Sequence, residues 1–195
     1  MVVRPPAVWA AREHRRILRE LWARALGSPN ESLRAYLGSP LPVLGVRTAE
    51  FRRVVHTAIP RLATQPVAAR RALVRSLWRG STLEEKAAAI ELLGRPPLVT
   101  DALAWQIGDS WIDTATGWAL SDSLASGPMA TLAAGQPDRF DELLRWTKSK
   151  NLWRRRASTY ALRVWVRAGE LDRPFLLLFR LLDDPERWVQ RAVGT

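Results

Sequence analysis

The sequence contains no cysteine, and its only histidines are His14 and His56. The lack of cysteine excludes disulfide bonds, thiolate metal sites and a cysteine nucleophile. The two histidines are far apart in the chain and do not have the spacing of metal ligands. We therefore expect both to be surface or hydrogen-bonded helix residues, and we expect no metal site.

Long apolar segments are missing as well. No apolar run reaches the roughly 18 residues that a helix needs to span a bilayer. The N-terminal stretch is MVVRPPAVWAAREHRR, which lacks the apolar core of a signal peptide. These absences predict a cytoplasmic protein with no membrane partner.

Positive charge is what the chain has in excess. It carries 30 basic and 19 acidic residues, which gives a net charge of +11. Such a balance favours an anionic partner, which could be a nucleic acid, an anionic membrane or an acidic protein. The basic residues are almost all arginine and alanine is abundant, a pattern that the codon usage of a GC-rich genome also produces. Codon usage explains arginine in place of lysine more easily than it explains an excess over acids.

Apolar residues recur with helical periodicity along nearly the whole chain, and no long stretch alternates with period two. The pattern predicts helices over residues 12–26, 48–58, 67–79 and 83–93. The second is expected to end before Pro60, and a capping box formed by Thr82 and Glu85 precedes the last. With 195 residues, 47% of them hydrophobic, the chain is expected to fold as one all-α domain spanning residues 1–195.

A repeat with a spacing of 35 residues runs through the helical pattern. Residues 153–157 align with residues 188–192, and a step of 70 residues back reaches residues 83–87. Each copy has a large apolar residue, a basic residue three positions later, and then an alanine. Paired helices with a small residue at close crossings are typical of HEAT repeats. The repeat therefore predicts a right-handed solenoid of HEAT-like helical repeats with a concave basic face.

The copy at residues 118–122 differs from the others. Trp118 takes the large apolar position, but Asp122 falls where the other copies carry Ala87, Ala157 and Ala192. A carboxylate at a packing position is costly unless it faces a cleft or has partners. Asp122 is therefore a candidate functional residue. A local cap or ion pair, or a shift of the repeat by one turn, would also explain it.

Several stretches of the chain, in their order and spacing, resemble the AlkD-like DNA alkylation repair family, whose glycosylases are built from HEAT-like repeats. The resemblance covers nearly all of the chain from about Tyr36 to Thr195. It includes a Trp-x-x-x-Asp motif and an Asn-x-Trp-x-x-Arg-Ala segment. The stretches that carry it are Tyr36 with residues 43–48, and residues 77–93, 118–122, 149–157 and 188–194.

The resemblance implies roles for particular residues. Asp122 falls on the family's catalytic carboxylate and Trp118 on the tryptophan of its lesion site. Arg156 falls on an arginine that contacts the DNA backbone near the lesion, and Tyr36 on a DNA-contacting tyrosine. The function implied is excision of N3- or N7-alkylated purines from double-stranded DNA by a nucleoid-associated monomer.

One position departs from the family pattern. The family's well-studied type has a tryptophan of the lesion site where this chain has Thr195. Either the chain is truncated at its C-terminus, or the C-terminal wall of the site is built differently. Trp188, one or two helical turns earlier, is a second candidate for that aromatic surface.

The expected chemistry suits a single carboxylate. Alkylation at N3 or N7 makes the purine cationic, so it leaves without needing a proton. A carboxylate beside the deoxyribose stabilises the positive charge that develops there and can orient water. Neither a metal nor an organic cofactor is required.

A basic run near the centre of the C-terminal half predicts a phosphate-binding stripe on a repeat protein, although a solvated face is the simpler explanation. The run consists of Arg145, Lys148, Lys150, Arg154, Arg155 and Arg156. Two other functions remain open: a non-catalytic relative that recognises distorted or branched DNA, and a helical scaffold that binds acidic proteins.

Overall fold

The computed structural model of the chain describes residues 5–27, 31–95 and 101–194, and every regular element within these residues is helical. The all-α fold predicted from periodicity is confirmed. The chain packs as two compact units, Met1–Thr100 and Asp101–Thr195. None of the described helices is long and apolar enough to cross a membrane. The single repeat domain, the solenoid and its concave basic face stay predictions.

The first unit is a group of packed helices around α1. Helices α3 and α4 pack against α1, and both also contact α5. Their buried faces carry aliphatic side chains at helical spacing, such as Ile17 and Leu21 of α1. The helices are α1 (Pro6–Trp22), α2 (Glu31–Leu37), α3 (Thr48–Ala63), α4 (Val67–Trp78) and α5 (Leu83–Leu93).

The start of α5 follows from its sequence. The Thr82 side chain accepts a hydrogen bond from the Glu85 backbone N–H at 3.2 Å, and a Glu85 carboxylate oxygen accepts from the Thr82 N–H at 3.0 Å. The predicted capping box is therefore confirmed. The predicted end of α3 before Pro60 is wrong, because the helix continues to Ala63. Proline removes one hydrogen bond, and the burial of Leu62 offsets that loss.

The second unit is arranged around α10, which contacts α6, α7, α9, α12 and α13. A π-helical turn, Ala125–Met129, joins α7 to α8, and a 3-10 turn, Phe179–Leu181, follows α12. The helices are α6 (Asp101–Ile112), α7 (Trp118–Leu124), α8 (Ala130–Ala134), α9 (Asp138–Trp146), α10 (Leu152–Tyr160), α11 (Arg163–Arg167), α12 (Asp172–Leu178) and α13 (Arg187–Val193).

A spacing of 34 or 35 residues reappears in the helix starts, because α5, α7, α10 and α13 begin at Leu83, Trp118, Leu152 and Arg187. Ala157 is fully buried and Ala192 is nearly so, as expected of residues where α10 packs against α13. Ala87 is only half-buried. The small-residue rule therefore holds in the second unit but not at the equivalent position of the first.

The chain is irregular directly after α7. Gly127 has a non-helical backbone (φ −90°, ψ −108°), and Pro128 follows without an N–H to donate. The turn lies against α6 at Gly108, where a Cβ atom would overlap the sulfur of Met129. The periodicity did not predict this turn. It redirects the chain just beyond Asp122.

Candidate functional site

The centre of the site is an ion pair between α7 and α10. The Arg156 guanidinium donates from Nε to Oδ1 of Asp122 at 2.8 Å and from Nη2 to Oδ2 at 2.7 Å. Only 7% of the Arg156 side chain and 14% of the Asp122 side chain is exposed. Two parallel hydrogen bonds fix the carboxylate plane more firmly than a single contact would.

Arg156 is itself held by neighbouring groups. Its Nη1 donates to the backbone carbonyl of Trp188 at 2.5 Å, and its Nη2 also reaches the hydroxyl of Tyr160 at 3.1 Å. The guanidinium carbon lies 5.1 Å from the centre of the Tyr160 ring. Arg156 thus ties α13 and the end of α10 to Asp122.

Burial raises the pKa of Asp122 above its ordinary value, and this effect outweighs the favourable contacts of the carboxylate with Arg156, Ser121 and Tyr160. The carboxylate is therefore easier to protonate than an exposed aspartate. Its oxygens accept from Arg156, the Ser121 hydroxyl lies 3.3 Å from Oδ1, and Tyr160 contributes a further hydrogen bond.

Helix α7 places Trp118 and Asp122 on the same face, because residues four apart are neighbours on a helix. Gly117, which precedes the helix, has φ +82°, a conformation that strongly favours glycine. Trp118 and Asp122 are both partly exposed. The structure therefore brings together Trp118, Asp122 and Arg156, which the sequence analysis had selected from two separate motifs.

Trp188 also lies at this site. Its ring centre is 5.9 Å from that of Trp153 and 5.9 Å from the Arg156 guanidinium carbon. The guanidinium of Arg191 lies 5.6 Å from the same ring. Trp188 is half-buried among these groups, so part of its surface is available beside the ion pair.

The two arginines that precede Arg156 have carboxylate partners inside the protein. Arg154 pairs with Asp109 and Asp113, with both N–O distances at 2.7 Å. Arg155 pairs with Asp184 at 2.6 Å. A phosphate would have to compete with these carboxylates. The predicted phosphate contacts of Arg154, Arg155 and Arg156 stay predictions.

Two other residues were singled out in the sequence. Tyr36 belongs to α2 of the first unit and is 66% exposed. Thr195, the position that departs from the family pattern, lies outside the described residues. Their proposed roles are therefore untested.

The sequence profile of a family described as DNA alkylation repair enzyme matches residues 17–195. The chain belongs to the DNA alkylation repair enzyme family. This confirms the family predicted from the motifs. No curated protein matches the chain.

Family membership supports a role for the chain in alkylation repair, with DNA as its partner. The match spans α7, α10 and α13, the three helices that supply the ion pair and its supports. Among the described residues, no group of three or more histidine, cysteine, aspartate or glutamate side chains could hold a metal ion.

A cavity of about 450 Å³ in the second unit was not predicted from the sequence. Ser126, Tyr160, Arg163 and Arg167 are among its lining residues. Tyr160 could have been found, because it lies one turn after Arg156 on the same helix. Ser126 could not, because the irregular turn after α7 brings it to the cavity.

Proposed function

We propose that this member of the DNA alkylation repair family is a DNA glycosylase that releases N3- and N7-alkylated purines from double-stranded DNA. The observation that carries the proposal is the Asp122 carboxylate, which belongs to the Trp-x-x-x-Asp motif and is held in one orientation by Arg156. The family supports alkylation repair in general, and the geometry of this carboxylate favours base release.

The chemistry requires a negative charge beside the sugar. As the cationic purine departs, positive charge builds on the deoxyribose, and a preorganised carboxylate stabilises that charge without reorienting. Asp122 is partly exposed, so a sugar can approach it. In this proposal a water molecule hydrogen-bonded to the Asp122 carboxylate attacks the sugar, and the carboxylate takes its proton.

The neighbouring residues have distinct proposed tasks. Arg156 orients Asp122 and favours its ionised form, so its role is positioning. Trp118 and Trp188 present aromatic surfaces on which a cationic base or the electron-poor sugar is favoured. None of these tasks uses a metal or an organic cofactor.

The test is a base-release assay on duplex DNA methylated at purine N3 and N7. The wild-type protein is expected to release methylated bases and to leave unmodified duplex intact. Asp122→Asn keeps the shape of the side chain but removes its charge, and we expect a loss of about 10²–10³ in single-turnover rate. Asp141→Asn is the matched control, because Asp141 is an exposed aspartate on α9 of the same unit.

Three outcomes separate the candidate functions. Release by the wild type and by Asp141→Asn, but not by Asp122→Asn, is the expected result. If Asp122→Asn keeps full activity, the catalytic assignment is wrong. If the wild type binds duplex DNA but releases no base, the protein is a non-catalytic DNA-binding relative. The occupation of both Asp122 oxygens by Arg156 is the observation that favours this second candidate.

A further inference from the structure

The cavity beside Asp122 has a lining suited to an anion. Its volume of about 450 Å³ lies within the usual range for small-ligand sites. Arg163 and Arg167, one turn apart on α11, both line it and both are exposed. Among the described residues neither makes an ion pair with a carboxylate, in contrast to Arg154 and Arg155.

The hydrogen-bond donors of the cavity are concentrated in these two arginines. The hydroxyl of Ser126 donates to the Asp122 backbone carbonyl at 2.7 Å, and that of Thr159 donates to the Arg156 carbonyl at 2.9 Å. Their hydroxyl protons are therefore committed. Arg163 makes one long contact, 3.4 Å, to the Ser126 carbonyl. The remaining guanidinium protons favour a ligand that only accepts hydrogen bonds.

The cavity and the Asp122 site share residues. Tyr160 lines the cavity and is hydrogen-bonded to Asp122 and Arg156. Ser126 lines it too and is bonded to the Asp122 backbone. A ligand in the cavity therefore contacts two residues that are hydrogen-bonded to Asp122. If a deoxyribose lies against Asp122, the acceptor-only group closest to it is a backbone phosphate of the same strand.

We infer that Arg163 and Arg167 bind one backbone phosphate of the lesion-carrying DNA strand in this cavity. The inference rests on the proposed function for the position of the sugar. Two guanidinium groups that converge on one phosphate provide charge-assisted hydrogen bonds and release counterions from the DNA. They would hold the strand so that its damaged nucleotide stays against Asp122. Phosphate binding would then depend on α11 rather than on the ion-paired Arg154 and Arg155.

The first measurement is binding of duplex DNA by fluorescence anisotropy over a series of salt concentrations. The duplex carries one tetrahydrofuran abasic analogue, which the protein cannot process. We expect Arg163→Gln with Arg167→Gln to weaken binding roughly 10-fold or more and to reduce the slope of log K against log salt by about 0.9, as for one phosphate. Arg180→Gln is the control for loss of a positive charge away from the cavity, because Arg180 is exposed in the same unit and does not line the cavity.

The second measurement locates the phosphate. Linkages around the analogue are replaced one at a time by neutral methylphosphonate. In the wild type we expect one linkage of the analogue-carrying strand at which the replacement weakens binding. In the double variant the same replacement should have no further effect, because the partner of that phosphate is already gone.

The outcomes distinguish this inference from the proposed function. If the double variant binds with the wild-type slope, or weakens no more than Arg180→Gln does, the phosphate site is refuted even where base release is intact. The same holds if methylphosphonate weakens both proteins equally at every linkage. If the double variant behaves as expected but the wild type releases no methylated base, the phosphate site stands and the glycosylase proposal fails.

Discussion

The two units each hold a mostly buried carboxylate on a repeat helix, but in different surroundings. Glu85 of α5 accepts hydrogen bonds from the N–H and hydroxyl of Thr82 and lies 2.7 Å from Nε2 of His14. Asp122 of α7 depends mainly on Arg156, 34 residues away. Glu85 is held by a local cap together with His14 of α1, whereas Asp122 is held mainly by Arg156 of α10.

The difference appears in how readily each group ionises. Burial alone would raise the pKa of Glu85, but the hydrogen bonds from His14 and Thr82 outweigh it and the pKa is lowered. For Asp122 burial dominates and the pKa is raised. A carboxylate surrounded by donors stabilises the fold as an anion. One whose pKa is raised by burial despite its hydrogen bonds is typical of a functional site.

The largest effect in this comparison is expected from removing the partner of Asp122. Arg156→Gln leaves a mostly buried carboxylate without its counter-charge and should cost about 3 kcal/mol of stability at neutral pH. In this variant the pKa of Asp122 should rise further. A group whose pKa is raised in the folded state stabilises the fold at low pH, and this stability is lost as the pH increases. The stability difference between Arg156→Gln and the wild type should therefore shrink on acidification. Urea unfolding at several pH values measures it.

Arg156→Lys is the matched variant, since it keeps the charge but not the bidentate geometry. We expect it to recover part of the stability while base release stays below the wild-type rate. A deficit for Arg156→Gln that is constant with pH would show that lost packing, rather than the unpaired carboxylate, is responsible.

A smaller effect is expected at Glu85. Glu85→Gln weakens the acceptor for Thr82 and for His14 and should lower the free energy of unfolding by about 1–2 kcal/mol. Base release per folded molecule should not change. Urea unfolding and single-turnover release on the same samples make the measurement. A rate loss as large as that of Asp122→Asn would remove the contrast between a structural and a functional carboxylate.

The pH dependence gives the smallest but most direct comparison. As pH falls, Asp122 should lose its charge at a pH above the ordinary aspartate range, because its pKa is raised. The stability contributed by Glu85 is present above its unfolded pKa and is lost only as pH falls through its lowered folded pKa. Base release should therefore decline while the protein is still folded.

The measurement compares the pH–rate profile with circular dichroism of the same protein. Spontaneous base loss from methylated DNA at each pH is subtracted from the rates. Two results would contradict the raised pKa of Asp122 and the lowered pKa of Glu85. One is activity and helicity that fall together as the pH decreases, and the other is activity that persists at pH values below the ordinary pKa range of aspartate.

Local sequence signals predicted much of the fold. The 3.6-residue periodicity predicted an all-α chain, and the Thr82–Glu85 pair predicted the start of α5, because both signals act within a few residues. Pro60 misled the prediction of α3, because tertiary packing offset the lost hydrogen bond. Helical spacing alone does not decide burial either, since Trp105 and Trp146 are buried whereas Trp22 of α1 is 59% exposed.

The pairing of charged residues could be predicted only in part. Residues one repeat apart lie on neighbouring helices, so the 35-residue spacing contained enough information to place Arg156 beside Asp122. The partners of Arg154 and Arg155 follow no such spacing, since Asp109 is 45 residues away and Asp184 is 29. The sequence therefore showed Arg154 and Arg155 as part of an unpaired basic run, although both form ion pairs in the structure.

The sequence by itself determined the helical period, the repeat and the family, because each depends on the order and spacing of residue types along the chain. Only the tertiary structure decided which arginines are paired, how far Asp122 is buried, and that Arg163 and Arg167 share a cavity with Tyr160. Charge pairing and burial depend on distances between helices, and those distances are set by packing that no local pattern records.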